Sequence, residues 1–387
     1  MANKINIFKQ FLVLISVFAF NTIWAYEPIE KEHNAAEFHQ TSAEHGESHE
    51  SQGFDAGKMI IEHVADSYGW HLWGHTSLPL PIIIKSDKGF DCFMSSKFNH
   101  GHDAVQGNYT YRIDEKTKSI VVFDELTGTV DQEATAKITD FSITKNVAAM
   151  FFSMLLMLWM FIKVAKLATK NRGKAPSGLQ SWIEPLVVFV RDDVAKPSIG
   201  KSYEKFMPFL LTVFFFIWIN NLLGLIPIFP GGANLTGSIS VALVLAAFTL
   251  VITFVVANKH YWRHVFAMPG VPLPVLIILT PIEILGLFLR PFVLMIRLFA
   301  NITAGHIIAL AFFSLIFIFG EMNAGLGLGV SVLSLVFTIF MGALELLVAF
   351  LQAYVFTLLS AIYFGAAVDE GHDVHHHHDH ETEVAHH

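Results

Sequence analysis

Cysteine is nearly absent: Cys92 is the single one among 387 residues, so an intrachain disulfide framework is excluded. With no second thiol beside it, Cys92 reads as a small core residue rather than a redox or metal group. Charge is scarce too. Asp, Glu, Lys and Arg make up 15% of the chain, against about 25% in an ordinary soluble domain. The net charge is −8 at pH 7, and a chain with no basic excess is not built to bind nucleic acid. Polar interruptions are missing from two long stretches, residues 273–319 and 326–364. What is abundant is apolar: 53% of residues are hydrophobic and the mean hydropathy is +0.51. That is the composition of a membrane protein.

Taken in order, Met1 to Ala25 sets Lys4 and Lys9 before the apolar run Phe11 to Phe20 and ends on a small residue. This is the pattern of a cleaved secretory signal, which leaves the next residues outside the cytoplasm. Residues 26–53 are acidic and rich in histidine (His33, His39, His45, His49) and hold too few large apolar side chains to order themselves. Residues 54–146 read as a small α+β extracytoplasmic module: a short helix over Met59–Ser67, a strand over Pro81–Lys85, and a hairpin. In that hairpin 108–113 and 119–123 flank a five-residue loop, 114–118.

Residues 147–366 read as an all-α polytopic membrane domain. Spans are expected at 147–167, 206–226 and 239–257. Between the first two, Leu179, Trp182, Ile183, Leu186, Val187, Val190 and Val194 recur at intervals of three and four. That is one stripe of an amphipathic helix over 179–197, lying on the membrane interface or packed on the protein's own flank. Lys163, Lys166, Lys170, Arg172 and Lys174, and later Lys259 and Arg263, mark the cytoplasmic side by the positive-inside rule. The module before the first span is then outside, as the signal also implies. A straight helix over 273–319 would be about 70 Å long, against a hydrocarbon core of about 30 Å. The expected solution is a long, tilted, membrane-embedded helical hairpin, hinged between Glu321 and Gly325. A histidine-rich tail, 367–387, which includes His375–His378, closes the chain.

Few ionisable groups lie within this hairpin: Glu283, Arg290, Arg297, His306 and Glu345, with the amides Asn301 and Gln352. A guanidinium at the bilayer centre costs about 3 kcal/mol on insertion scales and cannot escape by losing its proton. Arg297 therefore points to a need for permanent positive charge at that depth, whereas Arg290, beside Pro291, can equally snorkel to the interface. Ala300, Asn301 and Ala304 share the face of Arg297 and would let a second helix approach closely. Glu283, fourteen residues earlier, falls within about 40° of that face at 100° per residue, though it also lies seven residues from Arg290 and can pair with it. Glu345 and Gln352 share a face. His306 projects from the opposite side, about 13 Å beyond Arg297, and can be a hydrogen-bonded core histidine or a member of an ion path.

The stretch Arg297-Leu298-Phe299-Ala300-Asn301-Ile302-Thr303-Ala304-Gly305-His306 resembles the signature of subunit a of the rotary F-type ATP synthase. A second block, Leu344 to Leu359, resembles the last helix of that family. The resemblance covers about Val147 to Phe364. It implies a proton-translocating stator subunit that catalyses nothing alone, needs no cofactor and sits in a bacterial inner membrane, its N-terminal module periplasmic and its C-terminus cytoplasmic. The implied partners are the rotating ring of c subunits, the b subunits of the peripheral stalk and the remaining subunits of the enzyme. Arg297 matches the essential arginine that meets the ring carboxylate. Glu283, Asn301, His306, Glu345 and Gln352 match positions that line or support two aqueous half-channels. Many bacterial members carry Glu where this chain has His306 and His where it has Glu345, so the exchanged pair suggests one shared path. A self-contained cation/proton antiporter is the alternative, but it calls for paired broken helices in inverted repeats, which are not evident. A metal receptor built from the histidine-rich ends would need ordered ligand spacing, which they lack.

Overall fold

The computed structural model describes residues 66–369, apart from the short stretches 74–75, 102, 115–116, 125–127, 227–230, 234, 267, 269–270 and 323. The signal segment, the histidine-rich segment and the C-terminal tail lie outside the described residues. So does most of the helix expected over Met59–Ser67; its last two residues, Asp66 and Ser67, are not helical. The chain divides into two compact units. One holds Met1–Leu158, Phe216–Val241 and Leu298–Leu351; the other holds Trp159–Phe215, Ala242–Arg297 and Gln352–His387.

Among the described residues the first unit has nine short strands: β1 Gly69–Trp73, β2 Thr76–Pro79, β3 Pro81–Ser86, β4 Gly89–Met94, β5 Val105–Gln106, β6 Thr110–Ile113, β7 Ile120–Asp124, β8 Thr129–Val130 and β9 Thr139–Asp140. A one-turn helix, α1 (Gln132–Thr135), precedes β9. The strands pair antiparallel in three sheets ordered β1-β2, β4-β3-β9 and β5-β6-β7-β8. Alternation sets the faces: Ile82 and Ile84 of β3 are fully buried with Phe98, Tyr111 and Ile120. Burying side chains of this size contributes about 1.5–3 kcal/mol each. The expected strand and hairpin are both present, with Ile113 opposite Ile120 and the turn fastened where Thr117 donates to the Asp114 carboxylate at 2.6 Å.

Cys92 is exposed, not a core residue. Its strand β4 turns Phe90, Cys92 and Met94 outward on one side, so the period of two places the thiol on the open face.

Five helical stretches among the described residues are long and apolar enough to cross a bilayer: Lys145–Lys170, Leu179–Leu225, Ile239–Val256, Pro274–Phe312 and Ser331–Val368. The helices are α2 Lys145–Lys170, α3 Leu179–Phe189, α4 Lys196–Ile199, α5 Tyr203–Leu225, α6 Ile239–Val256, α7 Lys259–Phe266, α8 Leu273–Met322 and α9 Ala324–Val368. The amphipathic stretch is helical as expected, but a π-helical turn at Val190–Ala195 joins α3 to α4. Ile183, Val190 and Val194 of its stripe are buried, whereas Trp182 is 80% exposed, the place an indole takes at a membrane interface.

Pro281 and Pro291 both lie inside the single 50-residue helix α8, which is about 75 Å long at 1.5 Å per residue. Helices α8 and α9 flank residue 323, where the hinge was expected. They run antiparallel: Phe312 stacks on Phe337 at 5.2 Å in the first unit, and Arg290 lies over Tyr363 in the second.

Candidate ion-path residues along α8 and α9

Arg297 lies near the middle of α8, half-buried, beside the buried Leu294, Met295 and Leu298. Among the described residues no hydrogen bond or ion pair is made to its guanidinium. Arg290 differs. Its Nη2 donates to Oε1 of Glu283 at 3.0 Å, and its guanidinium stands 5.9 Å from the centre of the Tyr363 ring. The structure thus brings Glu283 to Arg290, one of its two open possibilities. The pair is about one-third exposed, with Arg290 at 36% and Glu283 at 25%, so its charges are partly screened and its worth is modest.

Next to this pair, within the second unit, a cavity of about 10 Å³ is lined by Thr249, Thr253, Tyr261, Leu287, Arg290 and Tyr363. That is room for about one water molecule with several polar neighbours. The Tyr363 hydroxyl lies within electrostatic reach of both Arg290 and Arg297. Thr249 and Ser360 share a hydroxyl contact at 3.2 Å, and Asn258 caps the end of α9 by donating to the Val368 carbonyl at 3.0 Å.

In the first unit the Glu345 carboxyl packs against the backbone of Gly305, the residue before His306. A Cβ at 305 would stand 2.9 Å from Glu345 Oε1. A side chain at 305 would have to displace the end of this flexible acid, so glycine leaves the carboxyl from the facing helix room to sit against the backbone. The backbone of His306 belongs to α8; its side chain lies outside the described residues. Asn301 is exposed, while Gln352, in the second unit, is 3% exposed.

Three further residues join this cluster without having been singled out from the sequence. Asn221, near the end of α5, donates from Nδ2 to the Ala349 carbonyl at 3.1 Å and accepts from Thr236 Oγ1 at 2.5 Å. Thr303 of α8 donates to the Gly237 carbonyl at 3.3 Å. The signal available was Asn221 itself: an amide inside an apolar helix must find partners, because leaving it unpaired in lipid is costly.

These features define the class: a multi-pass membrane protein with carboxyl, guanidinium and amide groups gathered along one long antiparallel helix pair. The family model for the ATP synthase A chain matches residues 147–365. A second model, described as a domain of unknown function (DUF8433), matches residues 59–141, the strand module. Among similar proteins, ATP synthase subunit a 2 of Chlorobaculum tepidum is 47% identical over 244 residues, covering 61% of this chain and 66% of its own length. ATP synthase subunit a of Chloroherpeton thalassium is 43% identical over 247 residues, 62% of this chain and 71% of that one. ATP synthase subunit a of an Anaeromyxobacter species is 35% identical over 356 residues, 88% and 76% respectively.

The chain belongs to the ATP synthase A chain family. It is a membrane component of that enzyme and not itself a catalyst, and nothing in these comparisons supports an antiporter.

Proposed function

We propose that this chain forms the stator side of a rotary proton path, with Arg297 as the fixed charge that each passing ring carboxylate meets. The observation that carries the reading is the place of Arg297: midway along a 50-residue apolar helix, half-buried, while the neighbouring Arg290 is already held by Glu283. A permanent guanidinium favours the ionised form of an acid brought beside it, so a proton carried by that acid is released near Arg297. The same charge repels a proton trying to pass directly between the two sides.

Two polar clusters flank Arg297 along α8. Glu283, Arg290 and Tyr363 lie on its N-terminal side, and Gly305 with Glu345 on its C-terminal side, about 10 and 12 Å along the axis. They fit an inner and an outer half-channel. The basic residues at the ends of α2 and α7 support a cytoplasmic side for the first cluster. His306 shares the outer path with Glu345, and Asn301 and Gln352 support it. The partners are the ring of c subunits, which supplies the moving acid, the b subunits of the stalk and the rest of the enzyme, in a bacterial inner membrane.

Arg297→Ala is expected to abolish ATP-driven proton pumping in inverted vesicles while the complex still assembles. Coupled pumping that survives this change would refute the assignment. Glu345→Gln and His306→Ala are expected to slow transport and leave part of the coupling; unchanged rates would remove them from the path.

A further inference from the structure

The strand module is fastened to the segment beside the Gly305–Glu345 cluster. Trp70 of β1 is 4% exposed and donates its indole N–H to the Gly231 carbonyl at 3.0 Å, across 161 positions of sequence. An indole is a donor only, and once buried it needs an acceptor. The ring packs with Ala149 of α2 and Ala233 of the same segment. Gly231 is fitted closely: a Cβ there would collide with the carbonyls of Leu223 and Ile226, so the segment is pressed against the end of α5.

Five residues further along the chain, Thr236 and Gly237 meet the hairpin. Thr236 donates to Asn221, Asn221 donates to the backbone of Ala349, and Gly237 accepts from Thr303. Ala349 lies one helical turn after Glu345, and Thr303 lies two residues before Gly305. The carboxyl that packs on Gly305 is therefore bracketed on both helices by bonds that run back to the segment held by Trp70. A second fastening ties the module to the start of α2. The Lys145 N–H donates to the Ser67 carbonyl at 2.8 Å and the Asn146 N–H to Asp66 Oδ1 at 3.0 Å.

We propose that the module is a brace for the proton path: Trp70 acts as a positioning residue that holds Gly231 and Ala233 in place, and through Asn221, Thr236 and Thr303 keeps Glu345 seated on Gly305. The inference rests on the transport function proposed above. It gives the strand module a job, which is to fix the geometry of the outer half-channel rather than to bind a ligand.

The test uses the assembled enzyme in vesicles stripped of the catalytic sector, with passive proton conduction measured per assembled complex. Trp70→Phe keeps an aromatic ring and removes the donor; Thr236→Val removes the second link. Each is expected to lower conduction per complex by about threefold to tenfold, the scale set by the loss of one buried hydrogen bond. The double variant should be no slower than the worse single one, because the two residues act in series. Hydrogen exchange should quicken at 231–238 and 299–305 in Trp70→Phe and stay unchanged at 203–215. A merely structural role would reduce the number of complexes and leave conduction per complex alone. Wild-type conduction per complex in Trp70→Phe, or independent effects in the double variant, overturns the brace. Failure of both Trp70→Phe and Trp70→Tyr to accumulate, while Thr236→Val accumulates and conducts normally, also overturns it. Arg297→Ala separates the two ideas: if it stays coupled, the transport function falls. If it is uncoupled while Trp70→Phe conducts as wild type, only the brace falls.

Discussion

A methyl group on residue 305 would stand 2.9 Å from Oε1 of Glu345 and 3.3 Å from its Cγ, closer than those atoms tolerate. Gly305→Ala is therefore expected to push the carboxyl off its seat without disturbing the helix, since alanine is the better helix former. Proton conduction per complex should fall by about tenfold, as for the displacement of a positioned group, while assembly is kept. Shortening the acid in the same chain, Glu345→Asp, should recover part of the rate. No recovery, or no loss with Gly305→Ala alone, would show that the seat does not matter. At this scale the sequence is readable wherever chemistry contrasts with its surroundings. Arg297 and Glu345 stand out because a charge inside an apolar run is visible in one dimension. Asn221 also contrasts, but its bond to Ala349 joins positions 128 apart, and nothing local to either residue specifies that partner. Cys92 shows the reverse failure. A lone thiol suggests burial by habit, while its strand's register decides exposure.

Helix starts offer unpaired N–H groups that must find acceptors, and α2 finds one far away in sequence. The Asp66 carboxylate accepts from the Ser67 N–H at 2.9 Å and from the Asn146 N–H at 3.0 Å, with Lys145 beside it. Burial raises its pKa above the ordinary 3.8 despite these bonds and the Thr144 hydroxyl. The folded form then holds the proton more tightly than the unfolded chain does. Stability from this group is greatest below 3.8 and declines as pH rises through the raised value. Asp66→Asn removes that titration and keeps an acceptor. The thermal midpoint of the wild type, followed by tryptophan fluorescence, should fall relative to Asp66→Asn as pH rises from about 4; a rise instead would refute the argument. The elements themselves were largely legible: apolar run lengths mark α2, α5, α6 and the long pair α8 and α9. Strand alternation marks β3, and a polar five-residue loop marks the β6–β7 hairpin. The ends and the fastening were not. Asp66 looks like part of a helix by pattern, and its role as a cap exists only once the strands bring it back to residue 146.

Across the molecule the spanning stretches differ in how much of them the chain covers by itself. Of the most apolar part of each, 56% is buried for Leu179–Leu225, but only 6% for Pro274–Phe312 and 11% for Ser331–Val368. Apolar side chains such as Ile277 and Ile278, 74% and 68% exposed, can be satisfied by lipid, because lipid tails are as apolar as leucine. Arg297 cannot be satisfied that way, since a charge in hydrocarbon draws in water or thins the bilayer around it. The stretch 290–305 therefore carries a charge that a bilayer alone does not satisfy, and under the proposed function a second chain presenting an acid would meet it. In the isolated chain in detergent, amides around 290–305 should exchange quickly with deuterium, because water follows the unmatched charge. In the assembled enzyme they should slow by about tenfold or more, as local opening comes to require displacing a partner, while 203–225 exchanges alike in both. Equal exchange at 290–305 in the two states would mean that no partner covers the guanidinium, and that this helix pair is complete without a rotor.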